Sequence, residues 1–205
     1  MKKWSRLTRS SNKTIGFVAT MGCLHEGHLS LIKTSIAECD TTVVSIFVNP
    51  IQFSPDEDFN SYPRSMESDK KILQTTGIDI LFNPKQEDLY PKKFQTFVTV
   101  EDKTNYLCGT NRLGFFRGVT TIILKLFNIA NPNIAYFGKK DWQQLEVVRT
   151  MVHDLNMDVS IVGKPIMRDK DGLAISSRNC NLSKSEKNSA RALSQALESA
   201  QALVI

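Results

Sequence analysis

The stretch Thr14–Ile32 reads TIGFVATMGCLHEGHLSLI and passes from an apolar run into a glycine-containing turn and then into a helical pattern. The run Thr14–Thr20 is continuously apolar in its centre, which is typical of a parallel strand that is covered on both faces. The helical pattern extends over Leu29–Glu38. A strand followed at once by a helix is the first half of a β-α-β unit, so this stretch predicts an α/β fold.

The same alternation of strand and helix patterns continues along the chain. Further strands are predicted at Thr41–Val48, Ile78–Phe82, Phe94–Val100, Ile134–Phe137 and Val159–Val162. Further helices are predicted at Met66–Thr76, Val119–Ile129 and Gln143–Leu155. Strands and helices in repeated succession predict a Rossmann-like, doubly wound parallel sheet.

The C-terminal segment follows a different pattern. Ser183 and Glu186 have the spacing of a capping box. The helix that they predict carries an apolar stripe formed by Ala190, Leu193, Leu197, Ala200 and Leu203. We therefore divide the chain into a Rossmann-like ligand-binding domain at residues 1–165 and the start of a small C-terminal lid domain at residues 166–205, which we expect to be truncated.

The composition is that of an ordinary globular chain, with 205 residues of which 41% are hydrophobic and 23% are charged. No apolar run approaches the roughly 18 residues of a membrane-spanning helix. The net charge of +5 arises in residues 1–13, because 26 basic residues less the 5 found there leave 21, equal to the 21 acidic residues. We interpret this basic segment as a solvated, partly ordered arm. A nucleic-acid-binding protein would instead spread its positive charge over a folded face.

Cysteine usage indicates a reducing compartment. Cys23, Cys39, Cys108 and Cys180 are separated by 16, 69 and 72 residues, and these spacings fit neither a zinc site nor a C-x-x-C motif. No apolar core of a secretory signal precedes the first strand. We therefore expect a cytoplasmic protein with reduced thiols and no protein-bound metal.

Two of the three histidines lie in the turn between the first strand and the first helix. His25 and His28 are three residues apart, so on a first helical turn their side chains project the same way. The free N–H groups and the positive end of a helix dipole bind anions there. Gly22 and Gly27 let the backbone approach a ligand closely. The alternative interpretation is a pair of surface histidines beside a glycine turn.

Three other polar clusters follow predicted strands. They are Asn49–Gln52, Gly138–Gln144 and Met167–Asn179. The carboxyl ends of parallel strands share one edge of a sheet, where open α/β proteins bind ligands. Each cluster alone is also typical of a solvated turn, and Asp141 suits the N-cap of the following helix. Together with the histidines, the clusters point to a site for nucleotide phosphates.

With these motifs the chain resembles the pantothenate synthetase (pantoate–β-alanine ligase) family of H-x-G-H nucleotidylyltransferases. The resemblance runs from about Thr14 to Asn179 and rests on TMGCLHEGHLSLI, VSIFVNPIQF, YPRS, FGKKDWQQL and DGLAISSRN in this order. It implies a ligase that condenses (R)-pantoate with β-alanine through a pantoyl-adenylate, releasing AMP and pyrophosphate. It further implies ATP with Mg²⁺ as the substrate complex, no tightly bound cofactor, a homodimer, and neither nucleic acid nor membrane as a partner.

The resemblance also implies roles for individual residues. The expected catalytic residues are His28, His25, Lys140 and Arg178, with His28 as the catalytic histidine and His25 beside it on the phosphates. The implied ATP-binding residues are Met21, Gly22, Cys23, Leu24, His25, Glu26, Gly27, His28, Gly138, Lys139, Lys140, Asp141, Met167, Ile175, Ser176, Ser177 and Arg178. Gln52 and Gln144 are expected to contact pantoate, with Gln52 also near the path of β-alanine.

The sequence departs from the family pattern at several positions. The family usually has proline where Ala19 and Leu113 stand, histidine in place of Phe115, and methionine in place of Ile175. Family chains also continue past the position of Ile205 into a domain that closes over ATP. Two alternatives therefore stay open: a catalytically impaired nucleotide-binding form, and another adenylylating enzyme of the H-x-G-H superfamily.

Overall fold

The computed structural model describes residues 1–204 and is built around one five-stranded sheet. Its strands are β1 (Ile15–Thr20), β2 (Thr41–Ile46), β3 (Ile80–Phe82), β4 (Ile134–Gly138) and β5 (Ser160–Lys164). They lie in the order β3-β2-β1-β4-β5, and every neighbouring pair is parallel. The chain builds outward from β1 in both directions, so the predicted Rossmann-like, doubly wound sheet is confirmed.

Helices connect and cover these strands. The described residues form α1 (Lys2–Ser10), α2 (Glu26–Glu38), α3 (Met66–Gln74), α4 (Gln86–Leu89), α5 (Cys108–Asn111), α6 (Phe115–Ala130), α7 (Trp142–Asp154), α8 (Lys184–Ala190) and α9 (Ala192–Val204). Short 3₁₀ segments lie at Pro50–Gln52, Asp102–Thr104, Lys139–Asp141 and Ser177–Asn181. None of the helices within residues 1–204 combines the length and the apolar character needed to cross a bilayer.

The central strands bury apolar side chains on both faces, which explains their continuous apolar sequence. Phe17 of β1 packs with residues of α6 and α7, whereas its neighbour Val18 packs on the other face with residues of α2 and α3. Near the start of the strand, Gly16 lies where α2 crosses β1. A Cβ atom at Gly16 would meet the Ser35 hydroxyl and lie 3.0 Å from the Cys39 thiol, so glycine permits the close approach of helix and strand.

The predicted strand at Phe94–Val100 is wrong, because this segment has no strand partner and is irregular. The Val98 N–H donates to the Thr121 hydroxyl at 3.0 Å. The Thr120 hydroxyl donates to the Val98 carbonyl at 2.7 Å. Two threonines of α6 therefore satisfy the backbone groups that a neighbouring strand would otherwise pair.

The interpretation of residues 1–13 as a solvated arm is also wrong, because this segment contains the helix α1. The buried Ser5 hydroxyl donates to the Ile129 carbonyl at 3.2 Å, and Trp4 packs against the core. Arg9 donates to Asn131 at 3.1 Å and to Asp158 at 2.6 Å. Four of the five basic residues, Lys2, Lys3, Arg6 and Arg9, thus lie on a helix that is docked on the C-terminal part of α6.

Beyond Lys164 the chain leaves the sheet. The predicted capping box is confirmed, since the Glu186 N–H donates to the Ser183 hydroxyl at 3.3 Å and the Ser183 N–H donates to the Glu186 carboxylate at 2.7 Å. The predicted single helix is divided into α8 and α9 at Arg191, whose guanidinium pairs with Asp171. The division of the chain into two domains at residue 165 stays a prediction.

Candidate active site at the switch point of the sheet

A pocket of about 250 Å³ opens at the carboxyl edge of the sheet. Residues that follow β1, β2 and β4 contribute to its wall, and the strand order reverses between β1 and β4. Doubly wound sheets bind ligands at this position. The predicted site residues that line the pocket are Met21, His25, Gly27, His28, Gln52, Gly138, Lys140, Asp141, Gln144, Met167, Ile175, Ser176, Ser177 and Arg178.

Five predicted ATP-binding residues do not line this pocket. Gly22 and Leu24 are buried in the turn behind it, and Cys23 is partly buried. Glu26 and Lys139 are exposed. The structure therefore brings most, but not all, of the predicted residues together, and the ATP contacts of all of them stay a prediction.

The turn between β1 and α2 is held by a buried carboxylate that the sequence analysis missed. Asp69 of α3, only 2% exposed, accepts hydrogen bonds from the Cys23 N–H at 2.9 Å and the Leu24 N–H at 2.7 Å. Gly22 and Cys23 both have positive φ angles, of 85° and 51°. A Cβ atom at Gly22 would lie 2.9 Å from the Asp69 carboxylate, so this position requires glycine on two grounds.

The two histidines form a capping box at the start of α2. His25 is the N-cap residue, with extended backbone, instead of a member of the first helical turn. The Gly27 N–H donates to His25 Nδ1 at 3.1 Å, and the His25 N–H donates to His28 Nδ1 at 3.4 Å. The rings stack with centroids 4.0 Å apart. Since both Nδ1 atoms accept hydrogen bonds, each neutral ring carries its proton on Nε2.

Both imidazoles are neutral at pH 7 in this structure. Burial lowers the pKa of His28 to about 3, and the neighbouring His25 and Lys140 contribute to this lowering by repulsion. Burial, followed by Lys140, also lowers the pKa of His25. Bound phosphates would oppose these effects, because a nearby negative charge stabilises an imidazolium. Each Nδ1 is nevertheless occupied as a hydrogen-bond acceptor, so the pair presents two neutral Nε2–H donors to a ligand.

Gln52 is oriented by a network of buried groups. The Asn49 side-chain nitrogen donates to the Gly118 carbonyl at 3.1 Å and to Gln52 Oε1 at 3.0 Å, and the Tyr90 hydroxyl donates to Asn49 Oδ1 at 2.7 Å. A carbonyl can only accept, so the contact with Gly118 fixes which way the Asn49 amide faces. Gln52 consequently uses its oxygen internally and keeps its NH₂ group at the pocket, 3.3 Å from the Met21 sulfur.

The adjacent glutamines on α7 have different surroundings. The Gln143 side chain is hydrogen-bonded to the segment that precedes α6. Its NH₂ group donates to the carbonyls of Lys103 at 3.0 Å and Tyr106 at 2.6 Å. Its oxygen accepts from the Cys108 N–H at 3.1 Å. Gln144 lines the pocket. This arrangement leaves Gln144 as the amide of α7 that can meet a substrate.

Lys140 and Asp141 lie beside the histidines at the start of α7. Their side chains pair with each other at 3.5 Å. Asp141 occupies the N-cap position of α7, but its carboxylate makes no capping hydrogen bond, so the interpretation of Asp141 as a helix cap is wrong. The pairing with Lys140 instead places one cation and one anion at the pocket entrance.

The segment Ser176–Arg178 closes the other side of the pocket. The Ser177 hydroxyl donates to the Cys23 carbonyl at 3.0 Å, which docks the segment on the turn before α2. The Arg178 guanidinium pairs with Asp58. Arg112 also lines the pocket, and no sequence motif indicates a role for it or for Asp58. Within residues 1–204, no group of three or more His, Cys, Asp or Glu side chains is arranged to hold a metal ion.

Fold and pocket together define the class: the chain is a Rossmann-like α/β protein with an H-x-G-H motif at the N-terminus of α2, its first crossover helix. Comparison with known proteins then gives the family. The family model described as pantoate-beta-alanine ligase matches residues 1–204, and the chain belongs to this family.

Individual relatives agree with this assignment. The chain is 53% identical over 204 residues to the pantothenate synthetase of Heliobacterium modesticaldum and spans 73% of its length. It is 54% identical over 203 residues to that of Geobacter sulfurreducens and spans 72% of its length.

Solved structures show the same similarity. The pantothenate synthetase of Thermus thermophilus matches with a TM-score of 0.89 and 46% identity, covering 94% of this chain and 71% of that protein. The pantoate-beta-alanine ligase of Francisella tularensis, complexed with beta-gamma ATP and beta-alanine, matches with a TM-score of 0.89 and 38% identity, covering 96% of this chain and 77% of that protein.

Gly118→Ala is expected to disturb the orientation of Gln52. A Cβ atom at residue 118 would lie 2.6 Å from the Gln52 Cα atom and 2.7 Å from its nitrogen, and it would also meet the Ile51 carbonyl. These are backbone atoms that cannot move aside cheaply, so we expect a loss of about 1–3 kcal/mol in the free energy of unfolding. Urea denaturation measures this loss. Gly138→Ala is the control, because a Cβ atom there would meet no atom closer than the Lys140 nitrogen at 4.0 Å and the backbone φ is −81°, and an equal loss there would contradict the argument.

Stability is expected to fall on acidification because His28 is buried in its neutral form. Its ordinary pKa of 6.5 applies when the chain is unfolded, and its folded pKa is about 3. Between these values the unfolded chain binds the additional proton, so the unfolding free energy decreases as the pH falls below 6.5 and is fully retained above it. One such proton gives a slope of about 1.4 kcal/mol per pH unit.

Urea denaturation at a series of pH values between about 6.5 and 4.5 measures this slope. His28→Gln is expected to reduce it. His153→Gln is the matched control, because the His153 side chain is 90% exposed. An unchanged slope in His28→Gln would show that His28 is not held neutral by the fold.

Proposed function

We propose that this chain condenses (R)-pantoate with β-alanine to form pantothenate, converting ATP, as its Mg²⁺ complex, to AMP and pyrophosphate. The observation that carries this proposal is the stacked, neutral pair His25 and His28 at the N-terminus of α2, which shares one pocket with Lys140, Arg178 and the oriented amide of Gln52. Family membership supports the reaction, and the complex of the Francisella relative supports ATP and β-alanine as ligands.

The first step is formation of pantoyl-adenylate. A pantoate carboxylate oxygen attacks the α-phosphorus of ATP, the bond from this phosphorus to the bridging oxygen breaks, and pyrophosphate leaves. The enzyme needs to align the reactants and stabilise charge on the phosphoryl oxygens. The Nε2–H groups of His25 and His28 serve the developing charge, while Lys140 and Arg178 serve the leaving pyrophosphate. Mg²⁺ enters with ATP and neutralises part of its phosphate charge.

The second step forms the amide. The β-alanine amine attacks the acyl carbon, the acyl–oxygen bond of the mixed anhydride breaks, AMP leaves and the nitrogen loses a proton. Gln52 and Gln144 suit pantoate, because neutral amides can hold its hydroxyls and carboxylate without competing for the phosphates. The fixed NH₂ group of Gln52 is a donor for a carboxylate or hydroxyl oxygen. No covalent bond to the protein is required in either step.

We also propose that the active form is a cytoplasmic homodimer. Exposed apolar side chains support an interface: Tyr106, Leu107 and Leu113 are 66%, 74% and 85% exposed. The free state of the four cysteines is consistent with a reducing compartment.

Sedimentation equilibrium is expected to give twice the monomer mass, and Leu113→Arg is expected to lower it towards the monomer. Leu7→Arg is the control, because Leu7 is also exposed, at 58%, but lies on α1. A monomeric wild-type chain would contradict the dimer while leaving the reaction unaffected.

The reaction is tested by following pyrophosphate release from ATP and (R)-pantoate, with and without β-alanine. We expect release that depends on pantoate and becomes continuous, with formation of AMP and pantothenate, when β-alanine is present. ATP binding without release would instead identify an impaired nucleotide-binding form. Release that depends on another acid but not on pantoate would identify a different adenylylating enzyme.

His28→Gln is expected to slow pyrophosphate release by about 100-fold or more, because it removes a charge-stabilising donor from the transition state. ATP binding, measured by calorimetry, should change much less. His153→Gln is the matched control, since His153 lies far along α7 with an exposed side chain. An unchanged rate in His28→Gln would remove His28 from the proposed mechanism.

A further inference from the structure

The Arg178 side chain is bound by a carboxylate that lies outside the histidine turn and the three other polar clusters of the sequence. Its Nε donates to Asp58 Oδ2 at 2.7 Å, and its Nη2 donates to Asp58 Oδ1 at 2.8 Å. We propose that Asp58 is a positioning residue for the adenylation step, which fixes the Arg178 guanidinium so that its remaining N–H groups face the ATP phosphates. This inference rests on the proposed function.

The hydrogen-bond inventory of the guanidinium makes this role possible. Arginine has five N–H donors in one plane, and the pair with Asp58 uses only the Nε–Nη2 edge. The Nη1 group and one hydrogen of Nη2 remain available. A bidentate carboxylate fixes the plane of the guanidinium as well as its distance. The ring of the buried Tyr62 adds a second constraint, with its centroid 5.2 Å from the Arg178 Cζ atom.

The backbone of Arg178 is held separately from its side chain. The Ser176 hydroxyl accepts from the Arg178 N–H at 3.3 Å, and Ser177 is bonded to the Cys23 carbonyl at the turn before α2. Asp58 lies in a different part of the chain, after the 3₁₀ segment that contains Gln52. The Arg178 side chain therefore spans from the histidine turn to the Asp58 loop, across the mouth of the pocket.

The residue before Asp58 forms an ion pair with a different arginine. Glu57 accepts from Arg112 through Nε at 2.5 Å and Nη2 at 3.1 Å. Hydrogen bonds from the arginines lower the pKa of both acids, that of Glu57 through Arg112 and that of Asp58 through Arg178. Both carboxylates are consequently ionised at neutral pH. Each arginine has its own acid, so Asp58 is not shared with Arg112.

A competing interpretation predicts the opposite change in ATP affinity when Asp58 is removed. If phosphate had to take the place of the Asp58 carboxylate on Arg178, the ion pair would act as a latch and removing it would tighten ATP binding. If Asp58 positions Arg178, removing it leaves a long side chain free to sample other rotamers, and ATP binding weakens. The free donors on Arg178 favour positioning. The sign of the change in affinity therefore decides between the two.

Calorimetry with the Mg²⁺ complex of a nonhydrolysable ATP analogue tests the proposal in a double-mutant cycle. We expect Asp58→Asn to raise the Kd about tenfold, which corresponds to about 1.4 kcal/mol. In the Arg178→Ala background the same substitution should have no further effect, because Asp58 acts only through Arg178. Steady-state kinetics should show a raised KM for ATP and an unchanged KM for pantoate. Asp58→Glu, which keeps the charge, should restore part of the affinity.

Asp158→Asn is the matched control, since it breaks the exposed Asp158 pair with Arg9 on α1. Asp58→Ser replaces Asp58→Asn if the latter lowers the Tm. Tighter binding, an unchanged Kd, or equal losses in the wild-type and Arg178→Ala backgrounds would each overturn the proposal. Binding of the analogue without pyrophosphate release by the wild-type chain would contradict the proposed function alone, and the cycle would still decide the role of Asp58. Absence of analogue binding to the wild-type chain would overturn both.

Discussion

The carboxylate of Asp69 is the constraint on which the geometry of the site depends. It is buried on α3 and accepts the N–H groups of Cys23 and Leu24, in a turn where two successive residues have positive φ. Such a turn is costly for a residue with a side chain, and two charge-assisted hydrogen bonds offset that cost. Because the turn is fixed, α2 begins where His25 can act as its N-cap. The Cys23 carbonyl of the same turn accepts a hydrogen bond from the Ser177 hydroxyl, so the turn also positions the segment Ser176–Arg178.

The charge distribution of the pocket follows from that arrangement. The groups fixed by backbone hydrogen bonds, His25 and His28, are neutral, and the basic side chains of Lys140 and Arg178 each have an acidic neighbour. A buried unpaired cation would cost folding free energy, whereas a neutral imidazole at a helix N-terminus costs much less. The site therefore keeps its N–H donors oriented without a large net positive charge.

Sequence patterns predicted the sheet well because its central strands are buried on both faces, as the apolar run at Thr14–Thr20 shows. They failed at Phe94–Val100, whose β-rich composition does not reveal that threonine hydroxyls of α6 satisfy its backbone. They also failed at α1, whose packing depends on Trp4 and on contacts with distant residues. The apolar pattern predicts the start of α2 too late, at Leu29, because the capping histidines precede it.

In the site, the motifs identified residues that cluster in sequence. They missed those that act from elsewhere in the chain, such as Asp58, Asp69 and Tyr90. Glu57 and Asp58 are visible as an acidic pair, but nothing in the sequence assigns them to Arg112 and Arg178. Only the fold makes these pairings, across separations of 55 and 120 residues.

Phe115 illustrates how the fold can change the meaning of a departure from the family pattern. Its side chain is buried at the pocket wall, and the Arg112 guanidinium lies 3.6 Å from its ring centroid. An aromatic face favours a cation in this position, so the apolar residue supports a polar group at the wall. Glu57 holds the other side of Arg112, and the adjacent Asp58 holds Arg178. Since the two acids are consecutive in one loop, that loop holds both guanidinium groups at the pocket wall.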